Sequence, residues 1–593
     1  MLLLLAALPM VLHARATPLG EPFADDFLFL RRVLLPGPRS LLDGGGSPLY
    51  WRPVGRQLYY GLLGPLIVSH PRWIAALHVA LLAASAWLVY RALRTRWPAS
   101  WAAAAAAFPL LIDADRMLIA WPSHFQDVGA IFFAALALHE ASRSRAWTAA
   151  ASLLASLLCK EVAACIGLLL PWLPVGPTPT RAWRWRATGV FAAVIAAWGL
   201  AYVAVARSAG VEFAHQFGES AAAGPTSPWI RLGWAVGHAA RSAMSLPAAP
   251  GRGDLGVAAA LGVLVSAACA AYALKPDARR RLRASLGQVA WGVAWFLAAT
   301  IPLLEVYPAW SAQRCVFASI GLGVALAGLL APAHPGLVAG LLALRLVTFQ
   351  ASPSEPRSLA EAGEQADQEF DFRHLVRLQR LVAETRVTLA RRFPTLPRGS
   401  IVGQHYVPHM VLHAFEGDAA LQVWYRDGSL RWMGFDEFRD HPDRELAGFV
   451  EHQPHGARQV AFVEADAMRE LLAGLALMRV SRWADAMAAL GRAEDQQPDT
   501  AAAVFLGTIA AKRAVCLSAL GRTDDAARAA RSALELWPEN LDSRVTLASL
   551  ELDAGRYAEA ETLLVDQLRL YPADTGALEL LTRVRATWVA RTR

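Results

Sequence analysis

The sequence predicts a mostly α-helical fold in which a polytopic membrane domain precedes a soluble part that ends in helical repeats. Mean hydropathy is +0.32, 55% of residues are hydrophobic and only 18% are charged, which is typical of membrane proteins. This apolar character fills residues 1–350 and then stops. Beyond position 466 a group of residues recurs at a fixed interval, as in arrays of paired helices.

The 593 residues are too many for one hydrophobic core, so several domains are expected. We predict a transmembrane domain over 1–350 that includes a large external loop over 14–72. A small α+β module over 351–466 and a repeat domain over 467–593 follow.

Apolar stretches long enough to cross, or nearly cross, a bilayer recur along the first domain. About eleven are predicted, near 1–13, 73–90, 99–112, 127–140, 146–159, 161–175, 187–206, 255–274, 287–304, 316–333 and 335–349.

Loop charge sets the orientation of these spans, because arginine-rich loops stay on the cytoplasmic side. The basic loops are 91–97, 141–145, 181–186 and 275–283, whereas the connections 14–72, 113–126, 207–254 and 305–315 are longer or poorer in basic charge. The sequence therefore predicts a multi-pass protein of a bacterial inner (plasma) membrane. Its N-terminus is cytoplasmic, and its soluble C-terminal part is periplasmic or external.

The net charge of +8 comes almost wholly from arginine, since the chain has three lysines. Membrane topology explains this charge, so no nucleic-acid partner is expected.

The predicted α+β module begins with a polar, helix-like stretch over 358–392 and continues with short alternating runs. Asp427-Gly428, within ALQVWYRDGSLRWMGF, is typical of a β-hairpin turn.

The repeat domain shows the period of tetratricopeptide repeats. Gly521, Arg522, Ala526 and Pro538 recur, each shifted by 34 positions, as Gly555, Arg556, Ala560 and Pro572. Ser481, Arg482, Ala486 and Pro498 form an earlier, degenerate copy, and a helix near 575–590 is expected to cap the stack.

The first external loop contains adjacent carboxylates, Asp25 and Asp26, in the segment FADDFLF. Carboxylates just outside a membrane helix can act as general base toward a hydroxyl or hold a divalent cation. The alternative is that they cap a short interfacial helix.

Three further segments carry charge at predicted span ends. The second external loop holds Asp113 and Asp115, along with Arg116, His124 and Asp127, and Arg314 begins an external helix. Lys160-Glu161 stands at membrane depth or its outer edge, where charges are costly and are often functional. The alternative for this pair is an interfacial Lys–Glu ion pair that marks a helix end.

Together these segments resemble the C-type (GT-C) glycosyltransferases, and within them the tetratricopeptide-containing O-mannosyltransferase-like proteins and their bacterial relatives. The resemblance rests on the acidic pair in a large first loop, on Tyr50, Arg52 and Pro53, on Lys160, Glu161 and Pro171, and on Arg314 and Phe317. It covers most of 15–333 and the repeats. The sequence departs from the family in the residue between Tyr50 and Arg52, in the segment Arg314-Cys315-Val316-Phe317, and in 351–466, which matches no part of the family pattern.

The resemblance implies inverting transfer of a sugar from a polyprenyl-phosphate donor to an acceptor hydroxyl. Asp25 or Asp26 would be the base, and Lys160, Arg314 and Arg52 would bind the donor phosphate, with Asp113, Asp115 and Glu161 in support. Metal dependence stays open: Asp25 and Asp26 would hold Mg²⁺ or Mn²⁺, and no other cofactor is implied.

The expected partners are the lipid-linked sugar, the bilayer, and an acceptor protein or glycan that the repeats position. Two alternatives remain: a non-catalytic membrane scaffold with tetratricopeptide repeats, and a transporter of lipid-linked sugar.

Overall fold

The computed structural model describes residues 1–13, 17–174, 180–212, 227–247, 251–308, 310–352, 371–407, 409–453 and 458–592. The chain forms two compact units. The first contains residues 1–383 and 414–426, and the second contains 384–413 and 427–593.

Helices make up nearly all of the first unit, and they are predominantly apolar. They are α1 Leu2–His13, α2 Asp25–Leu34, α3 Tyr59–Ser69, α4 Pro71–Leu93, α5 Ala99–Ala107, α6 Asp115–Ala120, α7 Phe125–Ser142, α8 Ala146–Cys159, α9 Ala163–Gly167, α10 Arg181–Ala209, α11 Pro228–Ala243, α12 Arg252–Leu274, α13 Pro276–Thr300, α14 Val316–Leu330, α15 Pro335–Ala351 and α16 Phe372–Arg392. The predicted helix over 358–392 is confirmed from Phe372 onward, and its first part lies outside the described residues. From Glu384 on, α16 belongs to the second unit.

Proline begins several of these helices. Pro71, Pro228, Pro276 and Pro335 each stand at the first helical position, where no backbone N–H is needed and the fixed φ suits a helix. These prolines explain why the apolar sequence divides into separate helices.

Among the residues that the structure describes, five helical segments are long and apolar enough to cross a membrane, whereas eleven are predicted. They are Pro71–Leu93, Arg181–Ala209, Gly253–Leu274, Pro276–Val306 and Ala312–Leu330. Further apolar helices of 10–17 residues lie at Leu2–Leu12, Ala99–Leu111, Ala146–Cys159, Ala163–Trp172 and Pro335–Ala351. Since a straight span takes about 20 residues, length alone does not make these shorter helices spans.

The predicted span 161–175 is interrupted. It consists of the short helix α9, which ends at Gly167, and a 3₁₀ turn over Leu170–Trp172 that contains Pro171. Proline lacks the N–H that a continuous helix requires, so the apolar run does not form one helix.

A four-stranded sheet forms the first part of the second unit, and short helices lie along the chain between its strands. In chain order these elements are β1 Ile401–His405, α17 His409–Phe415, α18 Ala419–Tyr425, β2 Arg431–Gly434, α19 Phe435–Asp440, β3 Phe449–His452 and β4 Val460–Val463. Of these, α18 and the end of α17 belong to the first unit. The strand order is β2-β1-β3-β4, with β1 parallel to β2 and β3, and β3 antiparallel to β4.

The predicted hairpin around Asp427-Gly428 is wrong. Residues 419–425 are helical, and Asp427 closes a turn between this helix and β2 by accepting a hydrogen bond from Ser429 N at 2.9 Å. Short apolar runs suit a buried helix as well as a strand, and here all residues from Ala419 to Val423 are buried.

The remainder of the second unit is a stack of helix pairs. Its helices are α20 Ala465–Arg479, α21 Trp483–Asp495, α22 Ala503–Ala519, α23 Thr523–Leu536, α24 Leu541–Asp553, α25 Tyr557–Leu570 and α26 Thr575–Thr592. Gly521 and Gly555 occupy equivalent turns with φ of 75° and 76°, a left-handed conformation that favours glycine. The predicted repeat architecture is thus present, and α26 packs on its end through Ala577 and Leu581.

The sheet and the repeats lie in one compact unit, and the predicted domain boundaries near 350 and 466 stay predictions. Phe449 and Ala461 of the sheet share one hydrophobic core with Met468 and Phe505 of the first repeat helices, so the sheet and the repeats form one body. Burial of a common apolar surface explains why the two pack together.

Candidate active site

Asp26 is the second residue of the short helix α2 and is fully buried. Its Oδ2 accepts a hydrogen bond from Phe23 N at 2.9 Å, and its Oδ1 accepts one from the Tyr60 hydroxyl. Burial raises the pKa of Asp26 to about 8, although the Tyr60 and Phe23 hydrogen bonds oppose this rise. Asp26 therefore ties the chain before α2 to its first turn, but it does not cap the helix, since no side chain accepts a hydrogen bond at the N-cap.

Asp25 differs from its neighbour because it is open to solvent and lies near Arg56 and Arg52. Desolvation by the surrounding protein raises the pKa of Asp25, and these two guanidinium groups oppose the rise without cancelling it. Ala24, directly before it, has φ 50° and ψ −126°, a strained conformation for a residue other than glycine. Such strain is concentrated at functional sites in proteins.

Lys160 and Glu161 follow the end of α8, where the backbone of Lys160 is extended. They do not form the interfacial pair considered above. Lys160 Nζ lies 2.6 Å from Asp127 Oδ1, and Glu161 Oε2 accepts a hydrogen bond from Arg52 Nε at 2.9 Å. Each of the two charges is therefore bound to a partner from a distant part of the sequence.

Arg52 and Arg56 are held together by Gln126. The Oε1 atom of Gln126 accepts from Arg52 Nη1 at 2.7 Å and from Arg56 Nε at 3.1 Å. Arg56 belongs to a π-helical turn over Val54–Leu58, and it also donates to Gly44 O at 3.1 Å. Burial and the charge of Arg52 lower the pKa of Arg56 to about 10, so it remains charged at neutral pH.

Close packing places this turn beside α8. A Cβ on Gly55 would stand 2.9 Å from Cys159 O, so only glycine allows this approach. Trp51, the residue before Arg52, is anchored by two hydrogen bonds. Its backbone N donates to the Tyr202 hydroxyl at 3.2 Å, and its Nε1 donates to Leu41 O at 2.7 Å. These contacts hold Arg52 next to Glu161.

Arg314 lies in the 3₁₀ turn that leads into α14, near enough to Asp127, Tyr50 and Arg52 to interact with them electrostatically. The structure thus brings together four cations and three carboxylates, here called the charged cluster. Its members are Asp25, Arg52, Arg56, Asp127, Lys160, Glu161 and Arg314.

The sequence assigns no role to Arg56 or Gln126, and it marks Asp127 only as one charge of the second external loop. Arg56 follows Arg52 by four positions, a spacing that places both on one side of a helical turn. Gln126 is a polar residue in the first turn of the largely apolar helix α7, a signal that identifies it in retrospect.

Asp113 and Asp115 lie in a second group. Asp113 pairs with Arg116 at 3.1 Å, and the charged neighbours of Asp115 are Arg345 and Asp113. Burial raises the pKa of Asp115 well above its usual range, although Arg345 opposes this rise. Both residues therefore support the position of the second loop rather than join the charged cluster.

The donor set around Asp25 and Asp26 does not fit a divalent cation. Both oxygens of Asp26 already accept hydrogen bonds from Tyr60 and Phe23. Across the described ranges, no three His, Cys, Asp or Glu side chains gather as metal ligands. The described residues therefore do not supply the ligand set for the predicted Mg²⁺ or Mn²⁺.

The raised pKa of Asp26 predicts a pH-dependent stability. The folded state holds this proton up to about pH 8 whereas the unfolded chain releases it near pH 4, so stability falls as pH rises between these values. The Tm of the wild type should therefore fall more from pH 5 to pH 8 than that of Asp26→Asn, which mimics the neutral carboxyl. Equal slopes in a tryptophan-fluorescence melt would show that Asp26 is ionised in the folded protein.

Fold and site together define a mostly helical protein with apolar helices that can span a membrane, a buried cluster of charges and a C-terminal repeat array. Residues 517–584 match the family model of the tetratricopeptide repeat, which confirms the predicted repeats. No curated protein matches the chain. Tetratricopeptide repeats generally bind other proteins, which is consistent with a protein partner.

Proposed function

We propose that this chain is a membrane glycosyltransferase of the C type, which transfers a sugar from a polyprenyl-phosphate donor to an acceptor hydroxyl with inversion. The observation that carries the proposal is the charged cluster, in which four cations come from three separate segments and a solvent-open carboxylate, Asp25, lies near two of them, Arg52 and Arg56. A lipid phosphate and a nucleophilic hydroxyl are the two groups that such a cluster suits.

Asp25 is the proposed base. The acceptor O–H bond breaks and its proton passes to the Asp25 carboxylate while the oxygen attacks the anomeric carbon. Asp25 is suited to this step because it is open to solvent and because the residue before it, Ala24, has a strained backbone. Asp26, buried against Tyr60, positions the first turn of α2.

Departure of the lipid phosphate moves the electron pair of the broken C–O bond onto a phosphate oxygen. Lys160, Arg314 and Arg52 stabilise this charge in our proposal, and Arg56 adds to the local positive potential. Four cations against three carboxylates leave one positive charge in excess, which complements an anionic donor. Asp127 and Glu161 hold Lys160 and Arg52 in place before the donor binds.

A membrane location follows from the same proposal. In it the five long helices, the five shorter apolar segments and α7 form the eleven spans, and the first loop faces the external side. The arginine-rich loops then lie in the cytoplasm. The repeats share the external side and present an acceptor protein or glycan.

Cell-surface glycans test the proposal. A strain that lacks the protein is complemented with the wild type or with the double variant Asp25→Asn plus Asp26→Asn, and glycoprotein and glycolipid profiles are compared. We expect the double variant to match the deletion strain while membrane expression stays unchanged. Wild-type glycans in the double variant would favour the scaffold or transporter alternative.

A further inference from the structure

A small cationic cavity of about 200 Å³ lies between α2, the 39–45 segment and α3. Its polar lining comes from side chains that donate hydrogen bonds, and no acidic residue lines it among the residues that the structure describes. The polar lining residues are Arg32, Arg39, Ser40, Arg56, Gln57 and Tyr60.

The positive charge of this cavity is only partly compensated. Arg32 pairs with Asp43 at 2.7 Å, and Asp43 also holds the loop by accepting from Gly45 N at 2.8 Å. Arg39 donates to the carbonyl oxygen of Val33 at 2.7 Å, a neutral partner that leaves its charge in place. An anion therefore finds a guanidinium group at the mouth of the cavity.

Gln57 adds a second requirement. Its Nε2 donates to Asp43 O at 2.7 Å, whereas its Oε1 is buried and accepts no hydrogen bond from the described residues. A buried acceptor without a donor costs free energy, so a ligand that carries a hydroxyl group beside its anion suits this site.

Exposed leucines lie at the cavity or directly next in sequence to residues that line it. Leu41 lines it, and its neighbour Leu42 is 62% exposed. On the α3 side, Gly61 lines the cavity and the next residue, Leu62, is 79% exposed. Exposed leucines beside a cationic cavity favour a ligand that has hydrocarbon chains as well as an anionic head.

We infer that this cavity binds the phosphoglycerol headgroup of an anionic phospholipid, with the acyl chains along Leu42 and Leu62. The phosphate meets Arg39 and Arg32, and a glycerol hydroxyl donates to Gln57. This inference rests on the proposed membrane location but not on sugar transfer. It also explains arginines in a loop assigned to the external side, where the charge rule alone disfavours them.

Lipid titration of the delipidated full-length protein in detergent tests the inference. Phosphatidylglycerol should bind at least about tenfold more tightly than phosphatidylcholine, and Arg39→Gln should weaken phosphatidylglycerol binding about tenfold. The double variant Arg32→Gln plus Arg39→Gln should weaken it further. Arg31→Gln is the matched control, because it removes the same charge from an exposed neighbour on α2 that does not line the cavity.

Three outcomes would overturn the inference. Equal binding of both lipids would show that the cavity does not select an anionic headgroup. An equal loss of phosphatidylglycerol affinity in Arg31→Gln would show a diffuse effect of surface charge. Inorganic phosphate that binds as tightly as phosphatidylglycerol would assign the cavity to a soluble anion. The titration contains no sugar donor, so its result is independent of whether the protein transfers sugar.

Discussion

Asp25→Asn is expected to lower the rate of sugar transfer by about 10²–10⁴-fold, the usual effect of removing a general base. The asparagine amide has nearly the same size but cannot take up the acceptor proton. Release of polyprenyl phosphate by the purified full-length protein measures the effect, with the donor and acceptor that support wild-type turnover.

Glu212→Gln provides the control for Asp25→Asn. Glu212 is an exposed carboxylate whose backbone bonds to the first loop near Tyr50, and the substitution removes the same charge without touching the charged cluster. Its turnover should equal that of the wild type. An Asp25→Asn protein that keeps wild-type turnover would exclude Asp25 as the base, even if Glu212→Gln behaves as expected.

Glu161→Leu is expected to destabilise the folded protein by about 3–5 kcal/mol, because it leaves the buried guanidinium of Arg52 without its carboxylate partner. The fall in Tm should be on the order of 10 °C. The double variant Arg52→Met plus Glu161→Leu should recover much of this loss, since it removes both charges together. Tryptophan-fluorescence melts of the wild type, the single variants Glu161→Leu and Arg52→Met, and the double variant complete the cycle.

An exposed ion pair of the same unit serves as the comparison. The side chain of Arg145 is 63% exposed and pairs with Glu140 at 3.4 Å, whereas that of Arg52 is 9% exposed. Arg145→Met should therefore change stability by less than about 1 kcal/mol. Additive losses in the Arg52–Glu161 double variant would contradict the interpretation of a coupled buried pair.

Part of the fold follows from the sequence because it is local. Gly521 and Gly555 mark equivalent turns at a fixed interval, and the helices between them follow from the same repeat. The predicted hairpin failed because its local pattern is compatible with more than one secondary structure. The apolar run before Asp427 suits a strand or a helix, and its burial selects the helix.

The candidate site follows from the sequence only in part. Charged residues at the ends of apolar segments identify Asp25, Lys160 and Arg314, because charge at membrane depth is costly. Which charges pair with one another is not visible in the sequence. Arg52 and Glu161 are 109 positions apart, and Lys160 and Asp127 are 33 apart.

The sequence alone determines that the chain is largely apolar and helical, that its C-terminal part repeats, and which charges stand in costly positions. Hydropathy, helical spacing and turn glycines are properties of neighbouring residues, so they are present before folding. Only the tertiary structure decides that Asp26 is buried against Tyr60 while Asp25 stays open, and that Lys160 and Glu161 bind separate partners. These outcomes depend on the packing of distant segments, which sets burial and distance and thereby the chemistry of each charge.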